Sequence, residues 1–373
     1  MMQSQICEWK ILPKNMKNRL HTICSYMAMF PPSLPHYFIE KYTKEGDVVF
    51  DPFSGRGTTV LEACLMNRKA VGNDKNILAY ILTKTKCDVP SKGRIFSRIA
   101  QLEKKFKSTS INLNNENENI RMIFSDYTLK QLIYLKNNLK WRINTIDTFI
   151  TAMVLGILHG NSMGYLSLSM PNTFSMSPNY IRNFIKKHEL HRPNRDVFEL
   201  LRRKLNRCYQ QPEIKGKVYN QNATNMSYIK NESVHLVLTS PPYTRVIRYG
   251  QFNWIRLWFL GKTGKEIDED LFFSQSLPKY CDFMSKVLNE IKRVLKLNGK
   301  AVLIIGDVKD RTSENIVNLA DIVWKKCAEP LGFKLVEPII EDIISDDSKV
   351  SRIWGDKKGR ATQVERVLVL KKG

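Results

Sequence analysis

Apolar runs of strand length alternate with amphipathic stretches at both ends of this chain, and a long helical interval separates the two alternating parts. Val48-Val49-Phe50 is an apolar run that predicts a buried strand, and from Thr58 to Asn67 the residues Val60, Leu61, Cys64 and Leu65 share one helical face. Lys69–Asn73 predicts a second strand, with Asp74 at its end. Strand, loop, helix, strand is one βαβ unit of a doubly wound sheet, whose ligands bind beyond the carboxyl ends of the strands. Upstream, Phe30-Pro31-Pro32 ends an extended stretch. Ser33-Leu34-Pro35 then opens a helix of roughly 35–43, since proline is tolerated in a first turn.

The alternation resumes after residue 216. Val218-Tyr219 and Val234–Leu238 predict strands, Phe283–Leu295 an amphipathic helix stopped by Asn298-Gly299, and Lys300–Ile305 a strand ending at Gly306-Asp307. A helix over 315–331 and strands near 333–337 and 365–370 complete the sheet, which is therefore α/β. Between the two parts, Asp147–Leu158 reads as an apolar helix, Ile111–Asn119 as an exposed polar loop and Asn161–Asn179 as an ordered loop rich in Ser, Met, Asn and Pro. Three regions follow: 1–89 and 216–373 form one α/β domain, and 90–215 is inserted into it and mainly helical. No internal repeat is visible.

Charge sharpens this division. The 373 residues carry 59 basic and 36 acidic side chains, a formal net charge of +23. The insertion holds about 21 of the basic residues against 9 acidic ones, and Ile181–Arg207 alone has nine against three. A surplus of this kind suits a polyanion, because each phosphate contact releases condensed counterions. The seven cysteines are scattered without a CxxC pair, so neither a zinc knuckle nor a disulfide framework is expected, and no metal site. Met1–Lys14 lacks an apolar core of signal-peptide length and no window approaches a membrane span. A soluble cytoplasmic protein is expected.

Two loops carry candidate chemistry. Asp51-Pro52-Phe53-Ser54-Gly55-Arg56-Gly57-Thr58-Thr59 joins the first strand to its helix; the glycines allow a sharp turn and close approach to a ligand, and the helix presents free N–H groups. A phosphate loop of the Walker type would need Gly-Lys-Ser/Thr, and a dinucleotide fingerprint would need a third glycine where Val60 stands. Asp74, about 20 residues on, is placed to accept hydrogen bonds from ribose hydroxyls. The second loop is Thr239-Ser240-Pro241-Pro242-Tyr243, directly after the strand 234–238.

Together these loops resemble the family of site-specific DNA methyltransferases that act on exocyclic amines, cytosine N4 or adenine N6. The resemblance covers approximately 20–90 and 216–310. It implies a Rossmann-like methyltransferase sheet with helices on both faces and S-adenosylmethionine as cofactor. It assigns the cofactor to Phe30, Asp51, Pro52, Phe53, Ser54, Gly55, Gly57, Thr58, Asp74, Asn222 and Thr239, and catalysis to Ser240, Pro241, Pro242 and Tyr243. A base amine is a poor nucleophile, its lone pair being delocalised into the ring. Methyl transfer therefore needs acceptors for the amino protons, here Ser240 Oγ and the Pro241 carbonyl, and a base flipped out against an aromatic face, here Tyr243. Pro242 stiffens the loop.

Further segments agree with the family: Ile291–Gly299 and the strand after it, and Tyr249 through Leu257-Trp258-Phe259-Leu260-Gly261. Two departures stand out. Asn222-Ala223 falls where the family commonly has Asp-Ala, and His235 occupies a site often acidic. Cytosine C5 methylation needs a thiolate, usually from a Pro-Cys loop, and no cysteine here follows a proline. Serine at the first position of Ser-Pro-Pro-Tyr favours cytosine N4, with adenine N6 as the alternative.

The basic insertion is the expected target-recognition region, with Arg182, Lys186, Lys187, Arg192 and Arg195 as candidate phosphate contacts. The expected partners are double-stranded DNA and a separate cognate restriction endonuclease. An RNA methyltransferase on the same fold, or a catalytically silent DNA-binding protein, are the remaining alternatives.

Overall fold

The computed structural model describes residues 7–12, 18–27, 29–243, 248–274, 276–309, 315–343 and 364–373. Much of Met1–Lys14, and Ala28 within the proline-ended segment, lie outside the described residues. After helix α1 (Ser33–Tyr42) come strand β1 (Val48–Asp51), α2 (Thr58–Leu65), β2 (Lys69–Asn73) and α3 (Ile77–Cys87). The insertion contributes α4 (Lys92–Phe106), α5 (Glu118–Arg121), α6 (Asp126–Asn138), α7 (Thr145–Ile157), α8 (Pro178–His188) and α9 (Val197–Cys208). Strands β3 (Lys217–Tyr219) and β4 (Val234–Thr239), helices α10 (Trp254–Phe259), α11 (Gly264–Asp270) and α12 (Leu277–Val294), and strand β5 (Leu295–Gly306) follow. The chain continues through β6 (Val308–Lys309), β7 (Ile316–Val317), α13 (Leu319–Val323), β8 (Phe333–Leu335), β9 (Ile340–Ile343) and β10 (Val364–Lys372).

The main sheet runs in the order β3-β2-β1-β4-β5-β10-β8, with β9 also paired to β10. Strands β1 to β5 are parallel and β10 is antiparallel to β5, giving a mixed Rossmann-like sheet with helices on both faces. Central strands in such a sheet are covered on both sides, which is why Phe50, Leu236, Val237, Leu238 and Val302 through Ile305 are completely or almost completely buried. His235, at the position often acidic in the family, has a structural task. Its Nδ1 accepts the Val48 N–H at 2.9 Å and its Nε2 lies 3.1 Å from Asp47, so it clasps the start of β1 to β4.

The elements differ from the periodicity in a few places, each with a local cause. Helix α12 begins at Leu277, six residues earlier than expected, because Tyr280 extends the buried face of Met284, Val287 and Leu288 back by one turn. Asn298-Gly299 does not separate helix from strand. Strand β5 starts at Leu295 and takes up these residues in an irregularity, its register against β4 shifting between Val234 and Leu236. Gly299 suits the tight space there, since a Cβ would sit 3.0 Å from the carbonyl oxygens of Lys296 and Val234. The helix expected over 315–331 is composite: β7, then α13, a π-helical turn at Trp324–Ala328 and a 3-10 turn at Glu329–Leu331. Strand β9, whose central residues are the acidic Glu341 and Asp342, is not visible in the apolar pattern and pairs antiparallel with β10.

The insertion is not an isolated bundle. Phe149 and Leu155 of α7 and Leu201 and Leu205 of α9 share one buried apolar cluster with Leu78 and Leu82 of α3 and Ile255 and Leu257 of α10. Polar ties reinforce it. Arg256, buried in α10, donates to the carbonyls of Leu155 and Thr173, to Ser25 Oγ and to Asn253 Oδ1. Arg98 Nε and Nη2 hold the buried carboxylate of Asp147 at 2.8 and 3.1 Å. Against this packing, α7 approaches residues 23–24 so closely that a Cβ on Gly156 would fall 1.9 Å from the Ile23 oxygen. Gly156→Ala is accordingly expected to destabilise the protein by about 1–3 kcal/mol, the usual range for overpacking. Urea unfolding checks this; an unchanged midpoint would mean that the two parts do not interlock at this contact.

Candidate active site

Strands β1 and β4 are parallel neighbours, with Val49 opposite Leu236 and Phe50 opposite Val237. Their carboxyl ends therefore release the glycine loop and the Ser-Pro-Pro-Tyr loop side by side, separated by one strand spacing of roughly 4.8 Å. One buried hydrogen bond joins them: Thr239 Oγ1 donates to Asp51 Oδ1 at 2.6 Å. The same carboxylate oxygen accepts the Phe53 N–H at 3.1 Å, fixing the first bend of the loop. Asp51 is 1% exposed, and its burial pushes the carboxyl pKa up to about 7 against the opposing pull of the Thr239 bond. Asp51 and Thr239 thus brace the two loops from below.

The glycine loop has a demanding backbone. Gly55 and Gly57 both have positive φ, +51° and +77°. At Gly57 a Cβ would come within 2.8 Å of the Thr83 backbone. Ser54 is spent on the scaffold, its Oγ 3.0 Å from Thr83 Oγ1, while Thr83 Oγ1 also donates to the Gly55 carbonyl at 3.2 Å. Thr58 is buried at the start of α2, where first-turn N–H groups lack helical partners, and its hydroxyl accepts Arg56 Nε at 3.2 Å. Pro52 is buried, and its carbonyl accepts Asn73 Nδ2 at 3.1 Å.

Asp74 faces the loop from the end of β2. Its Oδ2 accepts the Gly55 N–H at 2.9 Å and its Oδ1 the Asn76 N–H at 2.8 Å. It remains half-buried, and burial raises its pKa to about 6. A cradle in which side chains would clash, a free helix N-terminus and an oriented carboxylate at the next strand form a donor and acceptor set that fits a zwitterionic nucleoside such as S-adenosylmethionine. Asn222 is exposed on the loop after β3, and its side chain accepts the Thr224 N–H at 3.0 Å. Phe30 is half-buried before α1. Phe53 tilts against Phe283, 6.1 Å between centroids, and Phe283 stacks on Phe272 at 4.0 Å.

In the second loop Ser240 Oγ lies 3.0 Å from Tyr243 Oη, and Tyr243 Oη donates to the Ile304 carbonyl of β5 at 3.3 Å. That direction makes Tyr243 Oη the acceptor of the Ser240 proton, and both lone pairs of Ser240 are left free to accept. Burial drives the Tyr243 phenol pKa well up, so it keeps its proton. Pro241 is buried and Pro242 half-buried.

Three residues outside the expected set belong to this site. Tyr26, 8% exposed, stands over the glycine loop, its Cε1 3.6 Å from where a Gly55 Cβ would be. Its hydroxyl accepts Asn76 Nδ2 at 3.1 Å, and its ring stacks on Tyr249 at 5.7 Å and 21°. Tyr26 and Asn76 carried no motif, and Tyr249 was singled out only as part of a longer segment. The insertion cations occupy mixed positions. Arg182 donates to Asn179 and Asn119, and Arg192 to the carbonyls of Arg121 and Phe124, with Asp126 at 3.7 Å. The backbone N–H of Arg195 donates to Thr128 Oγ1 at 2.9 Å, while its guanidinium Nε is buried without a hydrogen-bond partner among the described residues. Lys186 and Lys187 are exposed in the last turn of α8, without a partner among the described residues.

A family model described as DNA methylase, of the N6/N4 methyltransferase type, matches residues 4–84 and 234–372, more than half of the chain. The chain is 38% identical over 82 residues to the orphan methyltransferase M.BamHII of Bacillus amyloliquefaciens, a match covering 22% of this chain and 28% of that protein. It is 25% identical over 272 residues to the type II methyltransferase M.MvaI of Kocuria varians, covering 65% and 58% respectively. These matches span less than two thirds of either relative's length. Among solved structures, TrmN from Thermus thermophilus aligns over 95% of this chain and 52% of its own with a TM-score of 0.38 and 12% identity. A SAM-dependent methyltransferase from Methanosarcina mazei aligns over 93% and 99% with a TM-score of 0.38 and 9% identity.

The raised pKa of Asp74 makes a prediction. S-adenosylmethionine brings a sulfonium and an ammonium charge, which favour the ionised carboxylate, so below about pH 6 binding must expel a proton. Affinity is expected to fall as pH drops below about 6, approaching about tenfold per pH unit, and to level off above pH 7. Calorimetric titration of the cofactor across this range checks it. Asp74→Asn should flatten the profile, and a flat profile in the unaltered protein would remove Asp74 from the cofactor site.

Proposed function

The chain belongs to the N6/N4 DNA methylase family, and we propose that it transfers a methyl group from S-adenosylmethionine to the exocyclic N4 amine of a cytosine flipped out of double-stranded DNA. The observation that carries this reading is the pairing of the two loops at the carboxyl ends of β1 and β4 through Thr239 and Asp51. When bound, the cofactor supplies an electrophilic methyl group on a sulfonium. The chain's task is to orient the two reactants and to manage the amine's protons.

Ser240 performs the proton task. With its own proton directed to Tyr243, its lone pairs accept one N–H of the base, and the Pro241 carbonyl accepts the other. Withdrawing these protons restores nucleophilic character to the nitrogen. Once the amine carried the methyl group, its surplus proton would leave through these acceptors to solvent, and no strong general base is needed. Tyr243, anchored on β5 through its hydroxyl, offers its ring as the stacking surface. Serine at the first position favours cytosine over adenine, whose N6 amine beside a ring nitrogen is the second substrate the same loop would accept.

The glycine loop, with Phe30, Asp74 and Asn222, holds the cofactor in this proposal, and Tyr26 with Tyr249 forms the outer wall. The basic insertion lies on the DNA, with Lys186 and Lys187 the most available of the expected phosphate contacts. The chain acts in the cytoplasm as the modification partner of a separate restriction endonuclease or in a related marking system. Among the described residues no helix is long and apolar enough to cross a membrane.

Transfer of tritiated methyl groups to duplex DNA tests the assignment of Ser240. Ser240→Ala should lower turnover about 10²-fold, the scale for losing one preorganised transition-state hydrogen bond, with cofactor affinity unchanged. Wild-type turnover in that variant would dismiss Ser240 as the amine acceptor. Transfer to RNA but not to DNA would overturn the substrate class.

A further inference from the structure

A half-open cavity of about 300 Å³ lies between α7 at Ile157, the loop at Met163 and Gly164, and a single stripe of α9 formed by Leu200, Arg203, Lys204 and Arg207. Three cations line it and no carboxylate does. Arg203 reaches back one turn to Glu199, an exposed pair. Arg207 is exposed and has no partner among the described residues. Lys204 is only 4% exposed, yet among the described residues its Nζ donates just one hydrogen bond, to the Thr22 carbonyl at 2.8 Å. An ammonium withdrawn from water with no counter-ion among the described residues, and with donors to spare, is a costly arrangement unless an anion completes it. Burial, with Arg207 and Arg256 nearby, already pushes its pKa down.

We infer that this stripe of α9 is a phosphate-binding site that grips the backbone of the DNA held in the catalytic cleft. The inference rests on the proposed DNA substrate. Two guanidinium forks on the rim match the geometry of a phosphodiester, and the ammonium at the base supplies the third contact. The walls suit the attached sugar, since Ile157 and Leu200 are apolar and Met163 is 76% exposed beside them. A small anion alone would leave much of this wall unused. The cavity is one chain segment from the glycine loop: Lys204 donates to Thr22, and Arg56 of that loop donates to the adjacent His21 carbonyl at 3.4 Å. The lining residues fall between 85 and 233, outside the two stretches the family model matches.

The test uses Arg203→Ala/Arg207→Ala, both positions exposed, with thermal melting and cofactor affinity as controls on folding. Duplex binding is measured by fluorescence anisotropy over a series of salt concentrations for several unrelated sequences. Each lost phosphate contact should make the slope of log affinity against log salt shallower by about 0.9, and the loss should be similar for all sequences. A slope reduced by about one to two, with cofactor affinity unchanged, supports the site. Superimposable slopes for the variant and the unaltered protein overturn it while leaving the methyltransferase reading intact. Failure of the unaltered protein to bind any duplex sinks that reading and this inference together. If inorganic phosphate binds and the variant abolishes this without altering the DNA slope, the cavity is a small-anion site and the backbone assignment is wrong.

Discussion

The buried bond from Thr239 to Asp51 is the interaction on which the site depends. It joins the ends of two adjacent parallel strands at the level where both loops begin, and the His235 clasp on Val48 and Asp47 holds the opposite ends. With β1 and β4 pinned at both ends, neither loop can slide relative to the other. The arrangement is expensive. A carboxyl group pushed up to about 7 has lost proton-releasing tendency at about 1.4 kcal/mol for each tenfold change, and the two hydrogen bonds it accepts recover part of that cost. Such stiffness at the base of the cleft suits the proposed methyl transfer, for which donor and acceptor would have to be held in one orientation.

Above this brace the glycine loop is shaped from outside. Thr83 of α3 fills the space a side chain at Gly57 would need, ties Ser54 and supports the Gly55 carbonyl, so the loop's curvature is imposed by the helix that follows β2. Asp74 then reads that curvature through the Gly55 N–H. Tyr26 closes the outer side with Tyr249, which comes from the segment after the Ser-Pro-Pro-Tyr loop. The Tyr26–Tyr249 wall, the glycine loop and the Ser-Pro-Pro-Tyr loop are consequently parts of one packed unit. The insertion joins that unit through Arg256, whose acceptors lie in α7, the loop before α8 and the segment beside Tyr26.

Much of this was legible along the chain, because short apolar runs such as Val48–Phe50 and Val234–Leu238, the second broken only by His235, fit buried strands, and both loops sit immediately beyond them. What the pattern could not supply was long-range pairing. Tyr26 meets Tyr249 more than two hundred residues away, and nothing local marks either as a wall. Ser54 and Arg192 look available for ligand contacts in one dimension, yet the fold engages them with Thr83 and with the carbonyls of Arg121 and Phe124. The early start of α12 and the irregularity at Gly299 arise because helix and strand abut directly, where turn-forming residues ordinarily imply a break. Motifs fixed to strand ends were readable, whereas side chains whose partners lie across the fold were not.

The most direct test is mass spectrometry of nucleosides from the DNA of a methylation-free host expressing this chain. The account predicts N4-methylcytosine, absent from the same host without the protein. N6-methyladenine in its place would contradict the cytosine assignment while retaining the chemistry of the Ser240 loop. Unmodified DNA, with soluble protein that binds S-adenosylmethionine, would contradict the claim that these two braced loops serve methyl transfer to a DNA base.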